Sequence, residues 1–85
     1  MKTIEYTITD PLGIHARPAA MLAKLAGKFN SSVKLAKAEK EIDAKRIMSL
    51  MGLAVKQDDT VVLTVEGEDE SEAAAALEEF LRETL

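Results

Sequence analysis

The spacing of the apolar residues switches repeatedly between two and three-to-four along this chain, and that restricts the fold more than any single motif does. In KTIEYTIT (2–9), Ile4, Tyr6 and Ile8 alternate with Thr3, Glu5, Thr7 and Thr9, the period of a strand with one buried face. From Ala16 onward, Leu22, Leu25, Ala26 and Phe29 fall at i, i+3, i+4 and i+7. That spacing predicts a helix ending near Gly27 to Asn30. SVKLAKA sets Val33 and Leu35 on one face of a second strand, and EIDA is a short third strand. The hairpin turn between them falls around Glu39 and Lys40, without an Asn-Gly signal. RIMSLMGLA is a short helix in which Ile47, Leu50 and Ala54 share a face, with Gly52 near the end; Ile47 and Leu50 are expected to pack inward. TVVLTVE places Val61, Leu63 and Val65 on one face of a fourth strand. GEDESEAAAALEEFLRETL is the last helix. Its core stripe is Ala73 or Ala74, Leu77, Phe80 or Leu81, and Thr84. Asp69, Glu70 and Glu72 crowd its start, where the helix dipole favours negative charge.

The resulting order is βαββαβα. Each strand has one polar face, so the expected fold is an α+β two-layer open-faced sandwich. A four-stranded antiparallel sheet carries three helices on one face and solvent on the other, with a split βαβ element. At 85 residues the chain is expected to be a single domain spanning 1–85. It has no cysteine, which excludes a disulfide framework and thiolate metal sites. The N-terminal MKTIEYTITD has no apolar h-region, so no signal peptide is expected, and no apolar run approaches the ~20 residues of a membrane span. A formal net charge of -4 and only three aromatic residues, one Tyr and two Phe, argue against nucleic acid as a partner.

DPLGIHARPAAM (10–21) holds the only histidine. Asp10, Pro11, Leu12 and Gly13 make a turn, so His15 falls at or just before the first helical residue. Its side chain then stands beside the N–H groups of Ala16 and Arg17, which have no intrahelical partner. A helix start attracts anions, and its positive end favours a neutral, nucleophilic imidazole. A neutral ring nitrogen can take a phosphoryl group. The dianion would face two backbone donors, the helix dipole and Arg17, whose planar fork suits two oxygens. Pro18 gives up an N–H that has no partner in a first turn, and it is expected to make that turn irregular by pushing Arg17 from helical geometry. Arg17, Ala20, Met21, Lys24 and Lys28 share a stripe opposite the core stripe, an approach surface for an anionic partner in an otherwise acidic chain. Taken singly, an ordinary surface histidine and plainly solvated lysines would fit the same pattern.

The segment GIHARPAAMLAKLAGKF resembles the active-site segment of HPr, the histidine-containing phosphocarrier family of the phosphoenolpyruvate-dependent sugar phosphotransferase system. KRIMSLMGLAV, TVVLTVEGEDESEA and the βαββαβα order extend the resemblance over nearly the whole chain. It implies a protein that carries a phosphoryl group rather than turning over a small substrate. Enzyme I, charged by phosphoenolpyruvate, would pass the group to Nδ1 of His15, and His15 would pass it to IIA domains of sugar permeases. Arg17 would stabilise charge during transfer, and the backbone of Ala16 and Arg17 would bind the phosphoryl oxygens. The resemblance also implies docking of both partners on the first and second helices, through Ala20, Met21, Lys24, Ile47, Met48 and Met51. Methionine adapts to several partners, although periodicity alone leaves Met48 and Met51 as either core filler or surface. A cytoplasmic monomer is expected, with no cofactor, no metal and no membrane insertion.

In one place the chain departs from the family. Many HPr proteins of low-GC Gram-positive bacteria have a regulatory serine at the start of the second helix, in a Lys-Ser-Ile-Met pattern. Here the residues are Lys45, Arg46, Ile47 and Met48, so a serine switch at that place is not expected. The alternative within the family is a paralogue with a mainly regulatory role, in nitrogen-branch phosphotransfer or as a co-repressor partner. Outside it stand an enzyme using His15 as general base, for which no second titratable residue offers itself, and an RNA-binding sheet.

Overall fold

The computed structural model describes residues 1–85. In chain order the elements are β1 (Lys2–Thr7), α1 (Ala16–Gly27), β2 (Ser32–Lys37), β3 (Lys40–Asp43), α2 (Ile47–Gly52), β4 (Thr60–Glu66) and α3 (Glu70–Thr84), the expected βαββαβα. The strands form one sheet in the order β1-β4-β2-β3, with every neighbouring pair antiparallel. β4 lies between β1 and β2, and β2 lies between β4 and β3. The β1–α1–β2 and β3–α2–β4 crossovers are therefore two interlocked split βαβ units.

Register makes the sheet two-faced. Ile4, Leu63, Leu35 and Ile42 stand side by side across all four strands, facing the helices. The neighbouring row on the opposite face is Glu5, Val62, Ala36 and Glu41, turned to solvent. Alternation thus gives each strand one apolar face, and three helices close over it. α1 covers it with buried Ala19, Leu22, Ala23 and Ala26, whose small side chains let the helix approach closely, while Leu25 and Phe29 are half-buried at its margin. α3 contributes Ala73, Leu77 and Leu81, with Phe80 and Thr84 half-buried.

Two expectations need correction. Ile47 does not pack inward; it is 42% exposed, while Leu50 is fully buried. A helix of six residues presents a single short stripe to the core, and here that stripe is Leu50 followed by Leu53 just past the helix end. Ile47 is left at the rim, and Ala54, beyond the helix at φ 55, is exposed. The β2–β3 hairpin also turns one residue earlier than expected. Lys37 and Lys40 form its last pair, so the loop is Ala38 and Glu39. Ala38 takes φ 55, where such a turn favours glycine. With alanine rather than glycine at that angle, the sequence located the hairpin but not the residue at which it turns.

Candidate functional site

The segment before α1 is built to a fixed shape. Asp10 Oδ1 accepts the Leu12 N–H at 2.8 Å, and Asp10 O accepts the Gly13 N–H at 2.9 Å, closing the turn. Gly13 sits at φ 65, and a Cβ there would meet the Val55 carbonyl and lie 2.7 Å from Lys56 Cα. Only glycine supplies both the backbone angle and the space. Next, the Ile14 N–H donates to Val55 O at 3.1 Å and its side chain is buried. The loop is therefore seated on residues 55–56 before it delivers His15.

His15 is the N-cap of α1, half-buried, with extended backbone at φ -100 and ψ -172. Its side chain makes no capping hydrogen bond, so the ring is not consumed in closing the helix. The first bond back to it is Ala19 N–H to His15 O at 2.9 Å. The N–H groups of Ala16 and Arg17 precede that bond in a helix start that leaves its first donors unpaired. The expected irregularity is absent: α1 is helical from Ala16 through Pro18. Pro18 is buried, and its packing outweighs the local preference against helical geometry at Arg17. Arg17, Lys24 and Lys28 are exposed and take part in none of the five ion pairs. The histidine and the carboxylates form no cluster of three or more that could hold a metal ion, and no helix is long and apolar enough to cross a membrane.

Beside α1 lies a groove of about 550 Å³ shared with α2. Ala20, Ala23 and Lys24 form one wall, and Lys45, Arg46, Ile47, Met48 and Ser49 the other. Met48 is 80% exposed at its edge, and Met21 and Met51 are exposed on the same two helices. Apart from Met1, the large exposed apolar residues are Leu12, Met21, Ile47, Met48 and Met51, all on the His15 loop, α1 or α2. Apolar side chains gathered on one part of a surface mark an interaction site. Of the residues that the sequence singled out for docking, Ala20, Lys24, Ile47 and Met48 meet around the groove, which adds Ala23 and Lys45; Met21 lies instead beside Lys28 and Phe80, and Met51 is not among the groove residues. Lys45 Nζ donates to Phe29 O at 3.0 Å, tying the start of α2 to the end of α1. No local signal pointed to Ala23 and Lys45, since their place in the groove depends on how the two helices pack. Arg46 is the exposed N-cap of α2, with Nε 3.9 Å from Asp43 Oδ2.

A family model described as "PTS HPr component phosphorylation site" matches residues 2–83. The chain belongs to the HPr family of phosphocarrier proteins. The phosphocarrier protein HPr of Lysinibacillus sphaericus is 48% identical over 83 residues, covering 98% of this chain and 94% of that protein. Among solved structures, the histidine-containing phosphocarrier protein of a mycoplasma superposes with a TM-score of 0.95 at 35% identity, covering 98% of this chain and 94% of that one. HPr of Thermoanaerobacter tengcongensis follows with a TM-score of 0.92 at 41% identity, covering 96% and 92%.

At the other end of α1, this HPr-type fold is closed by a carboxylate. Asp69, the N-cap residue of α3, accepts the Asn30 N–H at 2.8 Å, the Ser31 N–H at 2.9 Å and the Ser31 hydroxyl. These donors, the Ser31 hydroxyl foremost, hold Asp69 below the ordinary carboxylate range. Asp59, in the segment leading into β4, is likewise held low, first by the Lys56 N–H and then by the Lys37 ammonium. Neither role was visible in the sequence.

Proposed function

We propose that His15 accepts a phosphoryl group from phosphoenolpyruvate-charged Enzyme I and passes it to IIA domains in sugar uptake. The observation that carries this reading is the half-buried His15 at the start of α1, its ring free of any capping bond, next to unpaired Arg17. In the transfer, a neutral ring nitrogen, Nδ1 by analogy with the family, bonds to phosphorus as the donor's bond to it breaks. The arriving oxygens meet the N–H groups of Ala16 and Arg17 and the positive end of α1. Arg17 offers its guanidinium to the charge that spreads over those oxygens. The ring must then release the group, so these contacts hold the phosphoryl oxygens without burying them.

Both partners would dock on α1 and α2, using Ala20, Lys24, Ile47 and Met48 of the shared groove together with the exposed Met21 and Met51. A single surface for donor and acceptor suits a carrier, which meets them in turn, and exposed methionines adapt to both. On this reading residues 1–85 act as one cytoplasmic domain, and as a carrier rather than an enzyme. It works as a monomer, although HPr of Thermoanaerobacter tengcongensis and Crh of Bacillus subtilis have been solved as dimers. The test is incubation with Enzyme I and phosphoenolpyruvate, followed by addition of a IIA protein. The chain should gain one phosphate by intact mass and lose it to IIA. A chain that is never charged refutes the reading; one that charges but serves only nitrogen-branch acceptors places it in the regulatory branch.

A further inference from the structure

Along β2, Val33, Leu35 and Lys37 point to the same face, toward the helix layer. The first two are buried core; the third is a lysine where the alternation would continue that core. Its side chain is only 28% exposed. Nζ donates to Ala54 O at 2.9 Å and pairs with Asp59 Oδ2 at 2.9 Å. Both acceptors belong to the segment 54–59 between α2 and β4. Asp59 Oδ2 also takes the Lys56 N–H at 2.8 Å, and the Asp59 N–H returns to Lys56 O at 3.1 Å, which closes a turn. Ala54 and Asp58 in this segment stand at φ 55 and φ 72, angles that side chains oppose and that surrounding contacts must hold.

The His15 loop rests on that segment from both sides. Behind the loop, the Ile8 N–H donates to Asp59 O at 2.9 Å and the Asp58 N–H to Ile8 O at 2.8 Å. Ahead of it, Ile14 bonds to Val55 O, one peptide beyond the carbonyl that Lys37 holds, and Gly13 packs on Val55 and Lys56. One short segment therefore grips the loop before and after its turn, and Lys37 grips the segment.

We propose that Lys37, acting through Ala54 and Asp59, is a positioning residue for His15. It fixes the segment that sets the direction in which residues 13–15 enter α1. The inference rests on the reading of His15 as phosphoryl acceptor. Lys37 touches no reacting atom. Its effect comes through alignment, because in-line transfer tolerates little misplacement: a shift of 1 Å can slow a reaction by about 10²-fold. Losing one tether while the backbone bonds remain should cause a smaller shift. Were Lys37 merely stabilising, its loss would lower the unfolding midpoint and leave folded molecules with normal kinetics.

The test is Lys37→Met, which keeps the apolar stem and removes the ammonium. Lys34→Met, on the same strand but the solvent face, is the control. Each variant is assayed well below its unfolding midpoint. With Enzyme I and phosphoenolpyruvate, the transfer rate at saturating carrier should fall about tenfold with KM unchanged. The amide resonances of Gly13, Ile14 and His15 should move. Lys37→Arg should restore both readouts, and adding Lys37→Met to Asp59→Asn should change little further. A wild-type saturating rate with unmoved loop resonances overturns the proposal, as does a change confined to KM. If the wild-type chain takes no phosphate, the acceptor reading fails, and the three resonances alone decide whether Lys37 sets the loop.

Discussion

The two ends of α1 are treated in opposite ways. At its C-terminal end, the turn into β2 is locked: three donors from Asn30 and Ser31 converge on Asp69, and Ser31 is buried. At its N-terminal end, His15 caps the helix without a side-chain bond, the first N–H groups precede the ladder, and Arg17 has no carboxylate partner. Pairing every polar group stabilises a fold. Leaving a cation and donors unpaired contributes little to stability but keeps them available to an anion that comes and goes. The contrast separates the groups that hold the fold from those proposed to carry the phosphoryl group.

Damage to the core or to the Asp69 end of α1 should therefore alter stability alone, and damage to the unpaired groups at the His15 end should alter transfer alone. The largest loss of stability should follow Leu77→Ala, which empties a fully buried site under α3. It should cost about 2–5 kcal/mol in a denaturant titration, while molecules that remain folded accept phosphate at the normal rate. Slower transfer per folded molecule would erase the distinction.

Acid should act next, through Asp69 at the held end and through Asp59 in the segment beneath the His15 loop. Asp69 and Asp59 have lowered values in the fold, so the unfolded chain binds more protons through the window below the ordinary carboxylate range. Their contribution is fully present at neutral pH and is lost as pH falls through that window. Asp69→Asn should unfold more readily at pH 7 and show a shallower loss of stability on acidification than the wild type. Parallel curves would mean that the Asp69 bonds do not couple to folding.

Arg17→Ala reverses the pattern. The unfolding midpoint should shift by no more than about 0.5 kcal/mol, because an exposed, unpaired side chain is removed. Phosphoryl transfer should slow by about 10²-fold, the scale for losing one charge-stabilising group. Met48→Asp should disturb stability least, since the side chain is 80% exposed. It should weaken binding of Enzyme I and IIA alike; an effect on one partner only would split the proposed common surface in two.

The element order was legible because strand and helix periods are local, and so was the His15–Arg17 motif at its turn-to-helix junction. Legibility failed where a side chain's fate was decided by geometry rather than spacing. Ile47 has the right spacing to join Leu50, but the buried stripe runs from Leu50 on to Leu53 and leaves Ile47 lining the groove beside α1. The hairpin turn at Ala38 lacked the glycine that would have announced it. The Asp69 lock joins residues 38 positions apart, and Lys37 reaches a carbonyl 17 positions away. Only the folded chain brings such pairs together. The basic stripe on α1 was readable, but its continuation into a groove with Lys45 and Arg46 depends on how α2 packs.

The central claim is that the open end of α1 carries the phosphoryl group on His15. The most direct measurement charges wild-type and His15→Ala proteins side by side with Enzyme I and phosphoenolpyruvate, then compares intact masses and locates any phosphate by fragmentation. One phosphate is expected on His15 of the wild type, lost in acid and kept in base as a phosphoramidate, and none on a His15→Ala protein that folds normally. A phosphate on the folded His15→Ala protein, or at any other residue of the wild type, would contradict it.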